Sequence, residues 1–278
     1  MALYTMKELL SDAQQRRYGV GFFNAYNQEM IRACVQGAEE LGAPVIIGTA
    51  EALLPYSELE GLAPVLLQAA KSVKVPVAVH LDHSYRFDTV MRALRCGFGS
   101  VMYDGSRATY EENVRNSAEI ARVAHAMGAG LECELGCVGG LSDGGSHVDE
   151  NIYTDPDMAS SFVELTTADF LAVSIGTVHG VYASKPRLDL ERLAAIRQRV
   201  DAPLVLHGGS GLSDDDFRAT IAGGICKVNV YTDIVLAAKK ALADSMELGY
   251  ADIIKASEDA MRSEVKKKLI VFGSQNKA

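Results

Sequence analysis

Eight short apolar runs, separated by helical stretches, constrain this chain more than any other feature. They cover residues 19–23, 44–48, 76–81, 100–103, 130–134, 170–175, 203–206 and 225–230, each bounded by Gly, Pro or Asp. Runs of this kind belong to strands buried on both faces, as in a parallel sheet. Helical patterns fill the gaps. Over 29–41, Met30, Ala33, Cys34, Gly37, Ala38 and Leu41 recur at three- and four-residue steps, with Arg32, Gln36, Glu39 and Glu40 elsewhere. Residues 111–127 and 190–200 read alike, and Ser213 followed by three aspartates opens a helix with a capping residue and an acidic first turn. Strands alternating with helices require right-handed crossovers. Eight such units in 278 residues predict a (β/α)8 TIM barrel forming one domain over 1–278, with a doubly wound open sheet as the alternative.

Composition then removes several function classes. The balance of 27 Lys+Arg against 36 Asp+Glu gives −9, which argues against nucleic acid or an anionic membrane as partner. No apolar run approaches the ~20 residues that cross a bilayer, and the N-terminus lacks the apolar core of a signal peptide. Five scattered cysteines form no disulfide framework, so a reduced cytoplasmic location is expected, with Cys133 and Cys137 read as core residues. Residues 136–157, glycine-rich, acidic and weakly periodic, read as a long loop: an active-site lid, or a surface insertion.

In a barrel, whatever follows the strands converges on one face. In the third run, Val77, Val79 and Leu81 should face the helices, which turns Ala78, His80 and Asp82 inward and leaves His83 at the rim. His179 and His207 follow the sixth and seventh strands. Three histidines on one rim predict a mononuclear Zn²⁺ site with an open position. His80 reads as a hydrogen-bonded interior residue that orients Asp82, His125 as a helix-surface residue, and His147 as a solvated loop residue with catalysis as the minor alternative. Asp104 ends the fourth strand, where it either joins the site or caps the next helix. Glu132 and Glu134 share one face of the fifth, so at least one points inward. These carboxylates suit a second metal position or acid–base work. The glycines of 207–211 leave backbone N–H groups free for an anion, and residues 229–233 open a helix at the eighth strand, so a phosphate site is expected between them.

Seven ordered motifs carry a resemblance that runs the length of the chain: FNAYN at 23–27, HLDHS at 80–84, GFGSVMYDGS at 97–106, ELGCVGG at 134–140, IGTVHG at 175–180, LVLHGGSG at 204–211 and KVNVYTD at 227–233. The chain resembles the class II, zinc-dependent ketose-bisphosphate aldolases, the fructose- and tagatose-bisphosphate aldolase family. The resemblance implies that His83, His179 and His207 hold the catalytic Zn²⁺, with Asp104 and Glu134 at an alternative metal location. It implies that Asn24, Gly180, Gly208, Gly209, Ser210, Asn229, Val230, Tyr231 and Thr232 bind dihydroxyacetone phosphate, with a monovalent cation (Na⁺ or K⁺) nearby. Asp82 would be the acid/base on the C4 hydroxyl. The chemistry is reversible cleavage of a ketose 1-phosphate or 1,6-bisphosphate through an enediolate whose charge the metal offsets, with no lysine Schiff base. A homodimer or homotetramer is expected, as in that family.

Three departures bear on the substrate. Ser142 stands where the family carries the glutamate credited with proton transfer at C3, and a serine is no base at neutral pH; Asp143, Asp149, Glu150 or His147 would have to substitute. Tyr231 stands where fructose-bisphosphate aldolases tend to have Asp and tagatose-bisphosphate aldolases Ala. Arg107 follows DGS where many relatives have His or Lys; it either clamps a distal anion or is a solvated surface residue. The triose half of the site therefore reads as intact and the aldehyde half as altered. A different aldehyde ending in carboxylate or sulfonate is the alternative, and a non-catalytic sugar-phosphate-binding or assembly subunit is the alternative from another class.

Overall fold

The computed structural model describes residues 3–141, 147–148, 152–180 and 186–278. In chain order its strands are β1 Val20–Asn24, β2 Val45–Ala50, β3 Val77–Ser84, β4 Ser100–Tyr103, β5 Gly130–Leu135, β6 Gly139–Leu141, β7 His147–Val148, β8 Phe170–Val173, β9 Val178–His179, β10 Leu204–Leu206 and β11 Ile225–Val230. Eight of these close a parallel barrel in the order β1-β11-β10-β8-β5-β4-β3-β2. They are the eight runs expected from the sequence, and the open-sheet alternative falls because β1 pairs with both β2 and β11.

The helices are α1 Met6–Arg16, α2 Gln28–Leu41, α3 Leu59–Ser72, α4 Phe87–Arg95, α5 Tyr110–Ala126, α6 Pro156–Thr166, α7 Leu190–Arg197, α8 Asp214–Ala222, α9 Thr232–Asp244 and α10 Tyr250–Val271. Ser213 caps α8 through a reciprocal bond with Asp216, as its sequence signature predicts. Outward residues of the strands, Val77, Val79 and Leu81 among them, pack under the helices in one large core. Met6, Leu9, Leu10 and Ala13 of α1 plug the barrel at the N-terminal ends of the strands, against Val20, Phe22, Ile46, Ala78, Met102 and Phe170. Farther along each strand the interior turns polar, with Asn24, His80, Asp82, Glu132, Glu134, Lys227 and Asn229 all buried. The barrel is thus dry at one end and built for chemistry at the other. Its wall is tight: a Cβ on Gly48 would lie 1.7 Å from the His80 carbonyl oxygen, so only glycine lets β2 pass β3 here.

The expectation of an irregular loop over 136–157 needs correction. Among its described residues, β6 pairs antiparallel with β7 and parallel with β9, forming a small sheet beside the barrel. Cys137 and Ile152 exchange backbone hydrogen bonds at 2.7 and 3.0 Å. Two- and three-residue strands in a glycine-rich stretch carry no periodicity, so their pairing comes from the placement of β9 after β8. Ser142, Asp143, Asp149, Glu150 and the His147 side chain lie outside the described residues. Among the described residues, no helix is long and apolar enough to cross a membrane.

Candidate active site at the barrel mouth

His83 reaches the expected rim through a break in strand alternation. The β3–β4 register shifts between Leu81 and Ser84, and His83 takes φ 30°. This left-handed backbone breaks strand alternation, so consecutive residues Asp82 and His83 both turn toward the mouth, an uncommon conformation of the kind found at functional sites. His207 follows β10 directly, and His179 ends β9. The ring centroid of His83 lies 4.9 Å from that of His179 and 4.4 Å from that of His207. One nitrogen from each ring falls within 4.8 Å of the others, and all three residues are buried. The first expectation, three histidines from distant segments on one rim, is thus the geometry observed.

The hydrogen bonds of these rings show which nitrogens face one another. His83 Nδ1 is 3.0 Å from Asp104 Oδ2, and His207 Nε2 is 2.8 Å from Glu132 Oε1. The remaining nitrogens, His83 Nε2 and His207 Nδ1, stand 2.7 Å apart. Among the described residues, neither ring nitrogen of His179 has a hydrogen-bond partner. Burial, followed by the charge of His83, pulls the His179 pKa down to about 3, and burial drives that of His207 well below the usual value. Both imidazoles are therefore neutral, the form that binds metal. For His83 burial pulls the same way, but Asp82 and Asp104 outweigh it and raise its pKa well above normal. The 2.7 Å approach of His83 Nε2 to His207 Nδ1 places one hydrogen between the two rings. An orphaned imidazole, two more ring nitrogens converging on it and carboxylates orienting those two rings fit a divalent ion of borderline softness.

Asp104 does not cap α5; Thr109 does so, with Glu112. Instead its second oxygen accepts from the Ser106 N–H at 3.0 Å, which removes the capping alternative. Glu134 accepts from the Val138 N–H at 2.9 Å, while its buried Oε2 has no partner among the described residues. Burial and the Asp104 charge push the Glu134 carboxyl up to about 8. His83, Asp104 and Glu134 form a second cluster whose candidate ligand atoms lie within 4.8 Å.

Asp82 is fully buried and fixed at both oxygens: Asn229 Nδ2 donates to Oδ1 at 2.9 Å and Asn24 Nδ2 to Oδ2 at 2.8 Å. Burial opposes its ionisation, yet His83, His207, Lys227 and the Asn24 bond hold its pKa below the usual carboxylate range. The expectation that His80 orients Asp82 is wrong. His80 bonds Ser100 Oγ at 2.9 Å and lies 3.6 Å from Glu132, one layer deeper in the barrel. His125 pairs with Asp169 at 2.8 Å on the surface, as a helix-flank residue would.

A pocket joins these parts, lined by Asn24, Asp82, His179, Gly180, His207, Gly208, Gly209, Ser210, Asn229, Val230, Tyr231 and Thr232. Gly208 has φ 66°, and a Cβ there would come within 2.4 Å of the Val178 carbonyl oxygen. Ser210 Oγ accepts from the N–H groups of Tyr231 and Asp233, both at 3.3 Å, tying the glycine-rich segment after β10 to the start of α9. Tyr231 is half-buried at the pocket edge. Arg107 is exposed, but its guanidinium lies 5.8 Å over the Tyr85 ring, which in turn stacks on His83 at 6.4 Å. Arg107 therefore lies near the site while remaining exposed to solvent. Sequence reasoning did not single out Lys227, whose Nζ meets Glu132 Oε2 at 2.7 Å. Its signal was present: in β11, Lys227 shares a face with Asn229 while Val228 and Val230 face the helices.

A parallel barrel with a histidine triad and a polar pocket at its C-terminal face is an enzyme architecture, and comparison with known proteins specifies the class. The family model for class II fructose-bisphosphate aldolase matches residues 4–277, so the chain belongs to that family. It is 38% identical over 285 residues to the sulfofructosephosphate aldolase of Alkalicoccus urumqiensis, covering 100% of this chain and 99% of the relative. The YdjI aldolase from Escherichia coli K12 superposes with TM-score 0.90 at 33% identity, over 99% of both chains. A candidate fructose-1,6-bisphosphate aldolase from Coccidioides immitis gives TM-score 0.93 at 29% identity, over 98% of this chain and 97% of the other. The protein is thus a metal-dependent aldolase of ketose phosphates, a carbon–carbon lyase.

Proposed function

We propose that the chain cleaves a ketose 1-phosphate to dihydroxyacetone phosphate and an aldehyde, with zinc held by His83, His179 and His207. The observation that carries this reading is the single pocket in which Asp82, two of the three histidines and the Gly208–Ser210 and Asn229–Thr232 segments meet. A bound divalent ion supplies electrostatic stabilisation for the negative charge that builds on the triose as the C3–C4 bond breaks. The 1-phosphate rests on the backbone N–H groups of the two glycine- and helix-derived segments, which fixes the triose. Asp82 takes the C4 hydroxyl proton as the C4 carbonyl forms, while the bond pair stays on C3; in synthesis it returns that proton. Asn24 and Asn229 hold the carboxylate for this task. The two oriented rings, His83 on Asp104 and His207 on Glu132, keep the ligand set in place, with Asp104 and Glu134 offering the alternative location. A sodium or potassium ion beside the phosphate segments and a cytoplasmic homodimer or homotetramer complete the proposal.

For the aldehyde half, glyceraldehyde 3-phosphate is the reading that follows from the family. A sulfonate-ended aldehyde is the second reading, favoured by the relative named for sulfofructosephosphate, by Tyr231 at the edge of the pocket and by Arg107, which lies over the Tyr85 ring beside His83. Both put an anion at the far end of the ketose. Cleavage of fructose 1,6-bisphosphate, tagatose 1,6-bisphosphate and 6-deoxy-6-sulfofructose 1-phosphate by the zinc-loaded protein, with Tyr231→Ala and Arg107→Ala alongside, decides between them. One substrate should lead in kcat/KM, and both substitutions should change the ratios. Inactivity on all three and on a wider ketose-phosphate panel would leave the binding-subunit alternative standing.

A further inference from the structure

Below the histidine triad, and away from the pocket, lies a buried charged group to which the proposed mechanism gives no task. Lys227 Nζ donates to Glu132 Oε2 at 2.7 Å, and Glu132 Oε1 meets His207 Nε2 at 2.8 Å. Lys227, Glu132, His80 and His207 are all 0% exposed. The ammonium sits 4.7 Å above the Phe22 ring, and His80 Nδ1 bonds Ser100 Oγ at 2.9 Å. Burying an ion pair this completely is costly and gains little stability over apolar side chains of the same volume. A role beyond folding is therefore worth seeking, and its geometry provides one.

An ionised carboxylate can only accept hydrogen bonds. With Glu132 held by Lys227, the hydrogen between Glu132 and His207 must sit on Nε2, which leaves the Nδ1 lone pair of His207 facing His83 Nε2 at 2.7 Å. The alternative tautomer would set a lone pair against a carboxylate and turn an N–H into the triad. We infer that the Lys227–Glu132 pair is a positioning device that locks His207 in its Nε2–H tautomer and so presents Nδ1 to the metal. Lys227 touches neither substrate nor metal; it acts through Glu132, and Glu132 through His207. The pair joins β11 to β5 across the barrel and orients the first residue after β10, so one bond fixes three strands relative to the triad. Of the three histidines, His83 has Asp104 in the same capacity, whereas among the described residues neither ring nitrogen of His179 has a hydrogen-bond partner.

This inference rests on the triad being the metal centre, and its test separates the two. Long-range ¹H–¹⁵N spectra of ¹⁵N-histidine-labelled wild-type protein, with the His207 signals assigned from a His207→Gln sample, report the tautomer directly. Nε2–H is expected in the zinc-loaded form, and Nδ1–H there would overturn the inference. Two charge-neutral double variants then probe the bond. Glu132→Gln with Lys227→Met keeps an acceptor for His207, whereas Glu132→Leu with Lys227→Met removes it. Chelator competition should show zinc affinity reduced about 10- to 100-fold in the second, the range for losing a ligand-orienting carboxylate. The first should recover most of that loss, and the Co²⁺-substituted visible bands should shift in the second alone. Wild-type affinity and an unchanged cobalt spectrum in the acceptor-free variant would overturn the inference while leaving the metal centre intact. Failure of wild-type protein to bind zinc or cobalt would instead overturn the metal-centre reading, and this inference with it.

Discussion

Replacing Asp82 by Asn changes one oxygen to NH₂ and removes a charge, in a residue whose surroundings allow the two effects to be told apart. Both carboxylate oxygens already accept from amide donors, Asn229 at 2.9 Å and Asn24 at 2.8 Å. The new NH₂ therefore faces an NH₂ on one side. If nothing moves, a buried donor is left unpaired at a cost of about 1–3 kcal/mol. Asn229 offers relief, because its buried Oδ1 has no partner among the described residues and a flip of its amide would present that oxygen to the new donor. The flip gives up only the 3.3 Å approach of Asn229 Nδ2 to His207 Nδ1. The fold should thus survive, and with it the histidine triad, to which Asp82 is adjacent but not joined by a hydrogen bond.

The catalytic cost should be far larger. Loss of the group that moves the C4 hydroxyl proton is worth roughly 10²–10⁴ in turnover, or about 3–5 kcal/mol of barrier. Aldol cleavage is followed by coupled reduction of the dihydroxyacetone phosphate released, metal content by elemental analysis. A third measurement isolates the role: solvent exchange of the C3 proton of dihydroxyacetone phosphate in D₂O needs no C4 hydroxyl. Exchange should persist in Asp82→Asn while cleavage collapses. Cleavage within tenfold of wild type, or parallel loss of both activities at full metal content, would refute the assignment of Asp82.

Three further perturbations test separate layers. His207→Ala should abolish stoichiometric zinc binding and cleavage together, and full activity after complete chelation would refute the metal mechanism. Gly208→Ala forces a side chain into φ 66° and within 2.4 Å of the Val178 carbonyl oxygen, so the loop must move; KM for the ketose phosphate should rise about tenfold or more, and inhibition by inorganic phosphate should weaken in step. Gly61→Ala is the control: it is exposed in α3 with nothing within 4 Å of the new Cβ, and should raise stability by about 0.5–1 kcal/mol in a urea titration with activity unchanged.

The barrel was legible because its strands are buried on both faces and its helices are amphipathic, so each element declares itself locally. The β3 alternation placed Val77, Val79 and Leu81 outside and His80 and Asp82 inside, as found. The means by which His83 joins Asp82 at the mouth was not legible, because a single left-handed residue lies beyond any periodicity argument. The α1 plug was not foreseen, although Thr5 and Glu8 form a capping box; local signals start a helix but do not say which cavity it fills. Lys227 and Glu132 lie 95 residues apart in sequence, and only closure of the barrel makes them partners. The β6–β7–β9 sheet was invisible for the opposite reason, since its strands are too short to carry a pattern at all.

The acidity that first argued against polyanion partners has a local counterpart at the mouth. Asp82, Asp104, Glu132 and Glu134 place four carboxylates around three imidazoles, with Lys227 paired to one of them. Burial and Asp104 push Glu134 up to about 8, which means that this cluster cannot carry all its negative charge unaided. Such a centre repels a phosphate dianion as it stands and becomes hospitable only once a cation offsets the carboxylates. Metal and sugar phosphate should therefore bind cooperatively, each strengthening the other by the same factor, about 5- to 150-fold for typical coupling energies. Titration calorimetry of dihydroxyacetone phosphate into metal-free and zinc-loaded protein, with zinc competition at saturating and zero ligand, measures both sides of the cycle. Equal affinity in the two forms would mean that the Gly208–Ser210 and Asn229–Thr232 segments hold the phosphate independently of the carboxylate cluster, and the electrostatic argument would fail.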